Sequence, residues 1–92
     1  MRIRWTQPAV QDLTSICDYI KEHKSQETGR RVALHIYEAL DFLARFPNLG
    51  RPGRKPGTRE LVFKGLPYLA IYRIRADVVE INRILHEAQR WP

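Results

Sequence analysis

Residues 68–86 read YLAIYRIRADVVEINRILH, and this stretch decides the fold. Apolar and polar side chains alternate along much of it, which is the period-two pattern of half-buried β-strands. Ala76 and Asp77 interrupt the alternation and mark a tight turn. The pattern therefore predicts two antiparallel strands, one at Tyr68–Arg75 and one at Val78–His86.

A third strand-like run lies just upstream, at Arg59–Lys64. The turn signal Gly65-Leu66-Pro67 separates it from the strand that begins at Tyr68. Connections this short join antiparallel neighbours. We therefore expect the three runs to form an antiparallel β-meander.

Two amphipathic helices are predicted before the meander. Thr6 is placed to cap the first helix, with Pro8 in its first turn. A polar joint at His23–Gly29 leads into the second helix, which cannot continue beyond Phe46 because Pro47 follows. The apolar positions that share a face are Leu13, Ile16, Cys17 and Ile20 in the first helix, and Val32, Ile36, Leu40 and Leu43 in the second. Such helices are expected to pack as an antiparallel hairpin.

The N-terminus completes the predicted fold. Ile3 and Trp5 alternate with polar neighbours and indicate a short strand, whereas Pro47–Gly57 shows no periodicity and indicates an extended loop. The predicted order is a strand, a helix hairpin and three antiparallel strands. We expect one α+β domain over residues 1–92, with both helices on one face of the sheet.

Positive charge is concentrated in the second half of the chain. The 92 residues carry 16 Lys and Arg against 10 Asp and Glu, a net charge of +6. Residues 1–44 hold six of each sign, whereas residues 45–92 hold ten cations and four anions. This half is predicted to face a polyanion, whether RNA, DNA or an acidic protein segment. A merely soluble basic surface is the alternative.

Cysteine use and hydropathy indicate the cellular compartment. Cys17 is the only cysteine, which excludes an internal disulfide framework and a cysteine-based zinc site. The N-terminal MRIRWTQPAV lacks the apolar run of a signal peptide. No stretch approaches the roughly 20 apolar residues of a membrane span. These features predict a cytoplasmic protein without a membrane partner.

Motifs for nucleophilic or metal-dependent catalysis are absent from the sequence. It contains no G-x-S-x-G, no P-loop and no histidine pair at metal spacing, and its carboxylates are scattered. A phosphodiester can still be cleaved by an RNA 2′-hydroxyl. That reaction needs a proton acceptor, cations around the phosphorane and a donor for the leaving oxygen. No cofactor is therefore expected.

Basic residues at the ends of the predicted strands could supply these groups. The candidates are His86, Arg83, Arg59 and Lys64. Histidine exchanges protons near neutrality, and arginine offers a fixed fork for phosphate oxygens. Each also has a structural explanation. His86 can cap a strand end, Arg59 can pair with Glu60 or Glu80, and Arg83 can form an internal salt bridge.

A second group of residues is predicted to contact nucleic acid. The loop GRPGRKPGTRE, residues 50–60, suits contact with backbone phosphates or an acidic partner and carries no sequence specificity. The candidate contacts are Arg51, Arg54, Lys55, Arg73, Arg90 and Trp91. Trp91 either folds back over the sheet or stacks on a base or a partner. Tyr68, Tyr72 and Phe63 can stack on bases, although aromatics at strand spacing more often lie in a core.

Five stretches make the whole chain resemble the RelE/ParE superfamily of bacterial toxins from type II toxin–antitoxin modules. They are IRWTQPAVQDL, FPNLGRPG, GTREL, PYLAIYRI and VVEINRILHEAQRWP. The resemblance implies a β-α-α-β-β-β fold. It also implies a partner, a small antitoxin whose acidic, amphipathic segment wraps the sheet and helices. The net charge of +6 suits such a partner.

The resemblance leaves two activities open. RelE-like members are ribosome-dependent endoribonucleases that cut mRNA. In that branch Arg59 and Lys64 would bind the scissile phosphate, and His86, with Arg83, would act as acid or base. ParE-like members inhibit DNA gyrase and need no nuclease site. We expect the RelE-like activity, with gyrase inhibition as the alternative and a non-toxic nucleic-acid-binding domain as a third.

Two features of the chain depart from the best-known RelE pattern. The lysine cluster before the second strand is replaced by arginines and Lys55, and Trp91 stands where a late tyrosine is expected. The strand-ending histidine, His86, occurs in both branches and does not separate them. The long helix hairpin and the GRPG turn look a little more like ParE.

Overall fold

A five-stranded sheet carries two helices on one face in the computed structural model, which describes residues 1–89. The elements in chain order are β1 (Arg2–Trp5), α1 (Gln7–His23), α2 (Gln26–Asp41), a 3₁₀ turn (Phe42–Ala44), β2 (Arg51–Pro52), β3 (Thr58–Val62), β4 (Tyr68–Arg75) and β5 (Val78–His86). The strands lie in the order β1-β5-β4-β3-β2. The predicted α+β fold of strand, helix hairpin and meander is confirmed.

The first helix begins where its capping residue predicts. The Thr6 side chain accepts a hydrogen bond from the Ala9 N–H at 3.3 Å, and Pro8 occupies the first turn, where no N–H is needed. Ala9 and Ile20 are buried on the side that faces the sheet. Neither helix within residues 1–89 has the length and apolar character needed to cross a bilayer.

The joint between the helices is shorter than the predicted His23–Gly29. Ser25 caps α2 by accepting a hydrogen bond from the Thr28 N–H at 3.0 Å, so the helix begins at Gln26. Gly29 is therefore helical, and it is buried where the two helices cross. A Cβ at Gly29 would lie 3.4 Å from the Cys17 carbonyl oxygen, an ordinary contact.

The meander follows the sequence prediction closely. The boundaries of β4 and β5 are those predicted. Strand β3 was predicted at Arg59–Lys64; it begins one residue earlier, at Thr58, and ends two residues earlier, at Val62. β3 and β5 both pair antiparallel with β4, while β1 pairs parallel with β5. A register shift between Ile71 and Tyr72 leaves Asn82 as an extra residue of β5, which is a β-bulge.

The segment predicted as an extended loop instead contains β2 and a tight hairpin. β2 pairs antiparallel with β3, and the Gly53 N–H donates to the Thr58 carbonyl at 2.8 Å. Gly57 closes the turn at a φ of 81°, which glycine adopts without strain. The sequence pattern did not predict this strand, because its surrounding prolines and glycines are signals of turns and loops and leave no alternation of apolar and polar residues.

The core lies between the helices and the face of the sheet that they cover. Its buried residues are Ala9, Ile36, Leu40, Leu43, Phe63, Ala70, Tyr72, Val79, Ile81 and Ile84. Leu69, Ile71 and Leu85 form a smaller buried cluster. Because strand side chains alternate between faces, this second cluster belongs to the helix-free face.

Gly50 packs closely against the sheet. A Cβ at Gly50 would lie 2.7 Å from the ring and hydroxyl of Tyr72 and 2.8 Å from the Glu60 carbonyl oxygen. Only glycine fits there without displacing Tyr72, which is fully buried.

We expect Gly50→Ala to lower the free energy of unfolding by about 2–3 kcal/mol, because the added methyl group overpacks the Tyr72 contact. Gly29→Ala is the matched control. Its methyl group meets only an ordinary contact, and alanine favours a helix interior by roughly 0.5–1 kcal/mol over glycine. Urea denaturation of both variants measures the difference. Equal effects of the two substitutions would contradict the packing at Gly50.

Candidate functional site

The four predicted catalytic residues occupy different surroundings. Arg83 and Arg59 hold partners within the fold, Lys64 lines a groove beside α2, and His86 lines a pocket on the helix-free face. The structure therefore does not bring these four side chains together in one concavity. Their catalytic roles stay predictions.

Arg83 is held in a two-pronged ion pair with Asp12 of α1. Its Nε and Nη2 atoms donate to the two Asp12 carboxylate oxygens at 2.7 and 3.0 Å. The side chains are only 32% and 17% exposed. The hydrogen bonds from Arg83 to Asp12 raise the pKa of the guanidinium, which therefore stays charged. The internal salt bridge considered for Arg83 is the arrangement observed.

Asp12 also completes the hydrogen bonding of an open strand edge. Beyond Ile81, no strand within residues 1–89 pairs with β5 on its β1 side. There the Thr6 hydroxyl donates to the Asn82 carbonyl at 2.9 Å, and the Ile84 N–H donates to Asp12 at 3.0 Å. Helix α1 thus satisfies polar groups that a missing strand would leave unpaired.

Arg59 contacts backbone and not the glutamates considered for it. Its Nη1 atom donates to the Gly50 carbonyl at 2.7 Å and to the Asn48 carbonyl at 3.4 Å. These carbonyls belong to the turn that leads into β2. Arg59 therefore fastens that turn to the sheet.

The two glutamates have other partners on the helix-free face. Glu60 pairs with Arg51 at 3.0 Å, and Glu80 pairs with Arg4. Both glutamates are buried, at 6% and 8% exposure, while the arginines project outwards. Buried carboxylates need such partners, so these arginines are tied to the fold as well.

His86 lies beside a small concavity that we call the sheet pocket. It has a volume of about 270 Å³ and is lined by Arg51, Arg54, Glu60, Val62, Leu69, Leu85, His86, Glu87 and Gln89. The charges of its two arginines are balanced by those of its two glutamates. Its floor is aliphatic. The sheet pocket is thus not a strong attractor for a phosphate group.

The hydrogen bonds of His86 define its tautomer. The Ala88 N–H donates to His86 Nδ1 at 3.0 Å, so the neutral ring carries its proton on Nε2. Nε2 then has no free lone pair with which to accept a proton. The backbone N–H of His86 donates to the Gln89 side-chain oxygen at 2.7 Å, and the imidazole ring packs edge-on against the ring of Tyr68. These contacts fit a residue that caps the end of β5.

Among the residues predicted to bind nucleic acid, Arg51 and Arg54 line the sheet pocket. Arg54 and Lys55 are exposed at the tip of the β2–β3 hairpin. Arg73 is half-buried and lies opposite Glu80 in the sheet register. Arg90 and Trp91 lie outside the described residues. Tyr72 and Phe63 are fully buried in the core and are unavailable for stacking on a base.

The largest concavity described is an apolar groove between α2 and β3. It has a volume of about 680 Å³ and is lined by Arg31, Leu34, His35, Glu38, Ala39, Phe42, Leu49, Leu61, Val62, Phe63 and Lys64. Leu34 and Leu49 are each 56% exposed, and Phe42 is 47% exposed. Exposed apolar side chains clustered in this way mark an interaction surface. We call this surface the α2 groove.

Sequence patterns did not locate the α2 groove because its walls come from distant segments. Leu49 belongs to a turn and Val62 to a strand end, and they meet α2 only in the folded chain. One feature of the sequence could have indicated the groove. Leu34 is an apolar residue of α2 outside the core-facing positions, and such a residue is either solvated or reserved for a partner.

A helix hairpin packed on an antiparallel meander is the fold of small RelE/ParE-like toxin domains. A family model described as the ParE toxin of the type II toxin–antitoxin system parDE matches residues 3–91. The chain belongs to this family and is a toxin of a type II toxin–antitoxin system. Membership sets aside the reading of a nucleic-acid-binding domain without a toxin role.

Individual relatives support the assignment along the whole chain. Putative toxin Y4kP of Sinorhizobium fredii is 46% identical over 91 residues, covering 99% of this chain and 93% of the relative. Toxin RelE2 of Caulobacter vibrioides is 39% identical over 88 residues, covering 96% of this chain and 97% of the relative.

Solved structures show the same fold. The chromosomal ParDE toxin–antitoxin system of P. aeruginosa matches with a TM-score of 0.86 at 28% identity, covering 94% of this chain and 95% of the other. The RelBE2 toxin–antitoxin complex of Mycobacterium tuberculosis matches with a TM-score of 0.70 at 26% identity, covering 92% and 95%. The isolated E. coli RelE toxin, at 13% identity and a TM-score of 0.70, shares the fold and covers 98% and 86%.

We expect Asp12→Ala to lower the free energy of unfolding by about 3 kcal/mol, because it leaves the Arg83 guanidinium and the Ile84 N–H without their partner. Asp18→Ala removes an exposed carboxylate from the same helix and should change stability by no more than about 0.5 kcal/mol. Chemical denaturation followed by circular dichroism at neutral pH compares the two. A small effect of Asp12→Ala would show that Arg83 is free to serve another purpose.

Proposed function

We propose that this toxin acts by binding a protein target, in the ParE-like manner of inhibiting DNA gyrase, and not by cleaving RNA. The observation that carries this proposal is that two of the predicted catalytic arginines donate hydrogen bonds to groups within the fold. Arg83 is paired with Asp12, and Arg59 holds the carbonyls of Gly50 and Asn48. Each guanidinium would have to give up contacts within the fold before it could surround a phosphorane.

Releasing these arginines for catalysis would be costly. Turning Arg83 towards RNA would strand the Asp12 carboxylate in a largely buried position, at a cost of about 3 kcal/mol. Cationic stabilisation of a transition state works best when the groups are already in place. A binding mechanism makes no such demand. It needs only a complementary surface.

The histidine supports the same proposal. With Nδ1 accepting from Ala88, His86 offers a donor at Nε2 and no lone pair for the 2′-hydroxyl proton. General-base catalysis needs that lone pair within hydrogen-bond reach of the substrate. His86 would have to give up its backbone contact to act as a base.

An endoribonuclease remains the second candidate, because of one feature of the sheet pocket. His86, Arg51 and Arg54 line the same concavity, so a histidine and two arginines border one site. A Caulobacter relative carries the name Toxin RelE2 at 39% identity. In that case the sheet pocket would hold the scissile phosphate, and His86 would be the one residue of the four named from the sequence that lines it.

The α2 groove is assigned, within this proposal, to an antitoxin. Its apolar walls suit the apolar side of an amphipathic segment, and Arg31 and Lys64 on its rim suit acidic residues, against one carboxylate from Glu38. The similar structures from P. aeruginosa and M. tuberculosis are described as toxin–antitoxin systems or complexes. A disordered acidic segment could fold as it fills the groove.

The decisive experiment separates gyrase inhibition from RNA cleavage with one histidine variant. His86→Asn keeps an acceptor for the Ala88 N–H but removes the imidazole, and His23→Asn, on the exposed end of α1, is the matched control. We expect the wild-type toxin and both variants to inhibit supercoiling by purified gyrase at about micromolar concentration and to leave ribosome-bound mRNA intact. Cleaved mRNA with the wild type and His23→Asn, but not with His86→Asn, together with unchanged supercoiling, would establish the nuclease instead.

A further inference from the structure

The turn at residues 47–50 is fixed by two side chains that project from the sheet. The Tyr72 hydroxyl donates to the Pro47 carbonyl at 2.7 Å and accepts from the Gly50 N–H at 2.8 Å. Arg59, the cross-strand partner of Tyr72, donates to the Gly50 carbonyl at 2.7 Å. Both polar groups of the Gly50 backbone are therefore held by the same pair of neighbours. We call this arrangement the turn clamp.

The turn clamp holds an exposed leucine in a defined position. Leu49 lies between the clamped residues, is 56% exposed, and forms part of the wall of the α2 groove. Its own N–H donates to the Phe46 carbonyl at 3.1 Å, so the turn is fixed from both sides. A turn of this kind would otherwise be among the more mobile parts of a surface.

The clamp uses groups that are costly to bury unless they are hydrogen-bonded. Tyr72 is fully buried, and burial raises the pKa of its hydroxyl, which stays protonated and can donate to Pro47. Gly50 leaves the room that the tyrosine ring needs. The buried hydroxyl, the guanidinium and the glycine all act on one short turn that presents one leucine.

We propose that Tyr72 and Arg59 are positioning residues for partner recognition, which hold Leu49 as a preorganised anchor in the wall of the α2 groove for an acidic amphipathic segment. The inference rests on the proposed assignment of that groove to an antitoxin. Ordering a loop at the moment of binding reduces affinity, so a leucine fixed beforehand adds affinity. Buried anchors of this kind dominate the energetics of interfaces.

The same placement gives Arg59 a role that does not involve catalysis. Its guanidinium acts on the turn and not on a substrate. Substitution of Arg59 should therefore affect the groove and leave the sheet intact. Loss of the clamp should weaken binding in the groove through Leu49, while the strands beneath keep their hydrogen bonds.

A test without any ligand compares Tyr72→Phe with Tyr68→Phe, a matched variant on the same strand whose half-buried ring packs against His86. Hydrogen exchange measured by NMR reports on single amides. We expect exchange at Gly50 to accelerate by about tenfold or more in Tyr72→Phe, because the hydroxyl that accepts its N–H is gone. The Ile84 amide in β5 should stay protected in both variants. An unchanged Gly50 amide would overturn the clamp.

A second test measures binding in the α2 groove with a synthetic probe. The probe is an acidic amphipathic peptide of about 18 residues with leucines at i, i+3, i+4 and i+7. We expect its affinity to fall by about tenfold in Tyr72→Phe and to be unchanged in Tyr68→Phe. In a Leu49→Ala background, adding Tyr72→Phe should change affinity much less, because the two substitutions act on one contact.

The outcomes separate this inference from the proposed function. A wild-type chain that does not bind the peptide overturns the assignment of the groove and the anchor with it. Binding by the wild type that Tyr72→Phe leaves unchanged overturns the positioning role alone. Full additivity of Leu49→Ala and Tyr72→Phe would also overturn it, since a tyrosine that only stabilises the core does not act through Leu49.

Discussion

The carboxylate of Asp12 joins the two halves of this fold. It receives the Arg83 guanidinium through two hydrogen bonds and the Ile84 N–H through a third, so one side chain of α1 seals the open edge of β5. Without it, the Arg83 guanidinium would lose its partner, and the edge of β5 would keep an unpaired N–H at Ile84. The same contact removes Arg83 from any catalytic role that requires a free guanidinium.

Basic composition and a basic site are different things in this protein. Residues 45–92 carry the whole excess of +6, yet several of their cations are bound within the fold. Arg51 neutralises the buried Glu60, and Arg59 fastens the turn at residues 47–50. Lys64 is left on the rim of the α2 groove, where it can meet an acidic partner. The charge thus favours association with a protein over chemistry on a phosphate group.

Local sequence patterns predicted the elements better than the contacts between them. The alternation in residues 68–86 gave the boundaries of β4 and β5, and Thr6 marked the start of α1, because these signals depend only on near neighbours. The pairing of Asp12 with Arg83 spans 71 positions, and no periodicity contains it. The sequence also did not predict the parallel pairing of β1 with β5 or the hydroxyl contacts of Tyr72, because these too join distant segments of the chain. Strand β2 was not predicted, because it is only two residues long and contains Pro52, a residue that argues against a strand.

NMR of the arginine side chains in the free toxin tests the central claim most directly. Titration with a single-stranded RNA oligonucleotide would be followed through the ¹⁵Nε resonances of Arg83 and Arg59. We expect the Arg83 Nε–H signal to keep its position and its slow exchange throughout, because Nε donates to Asp12. The Arg59 signal should keep its position, because the Nη1 atom of that guanidinium already donates to the turn carbonyls. Shifts of both resonances as RNA is added, with loss of the Asp12 contact, would contradict the claim and restore the nuclease site.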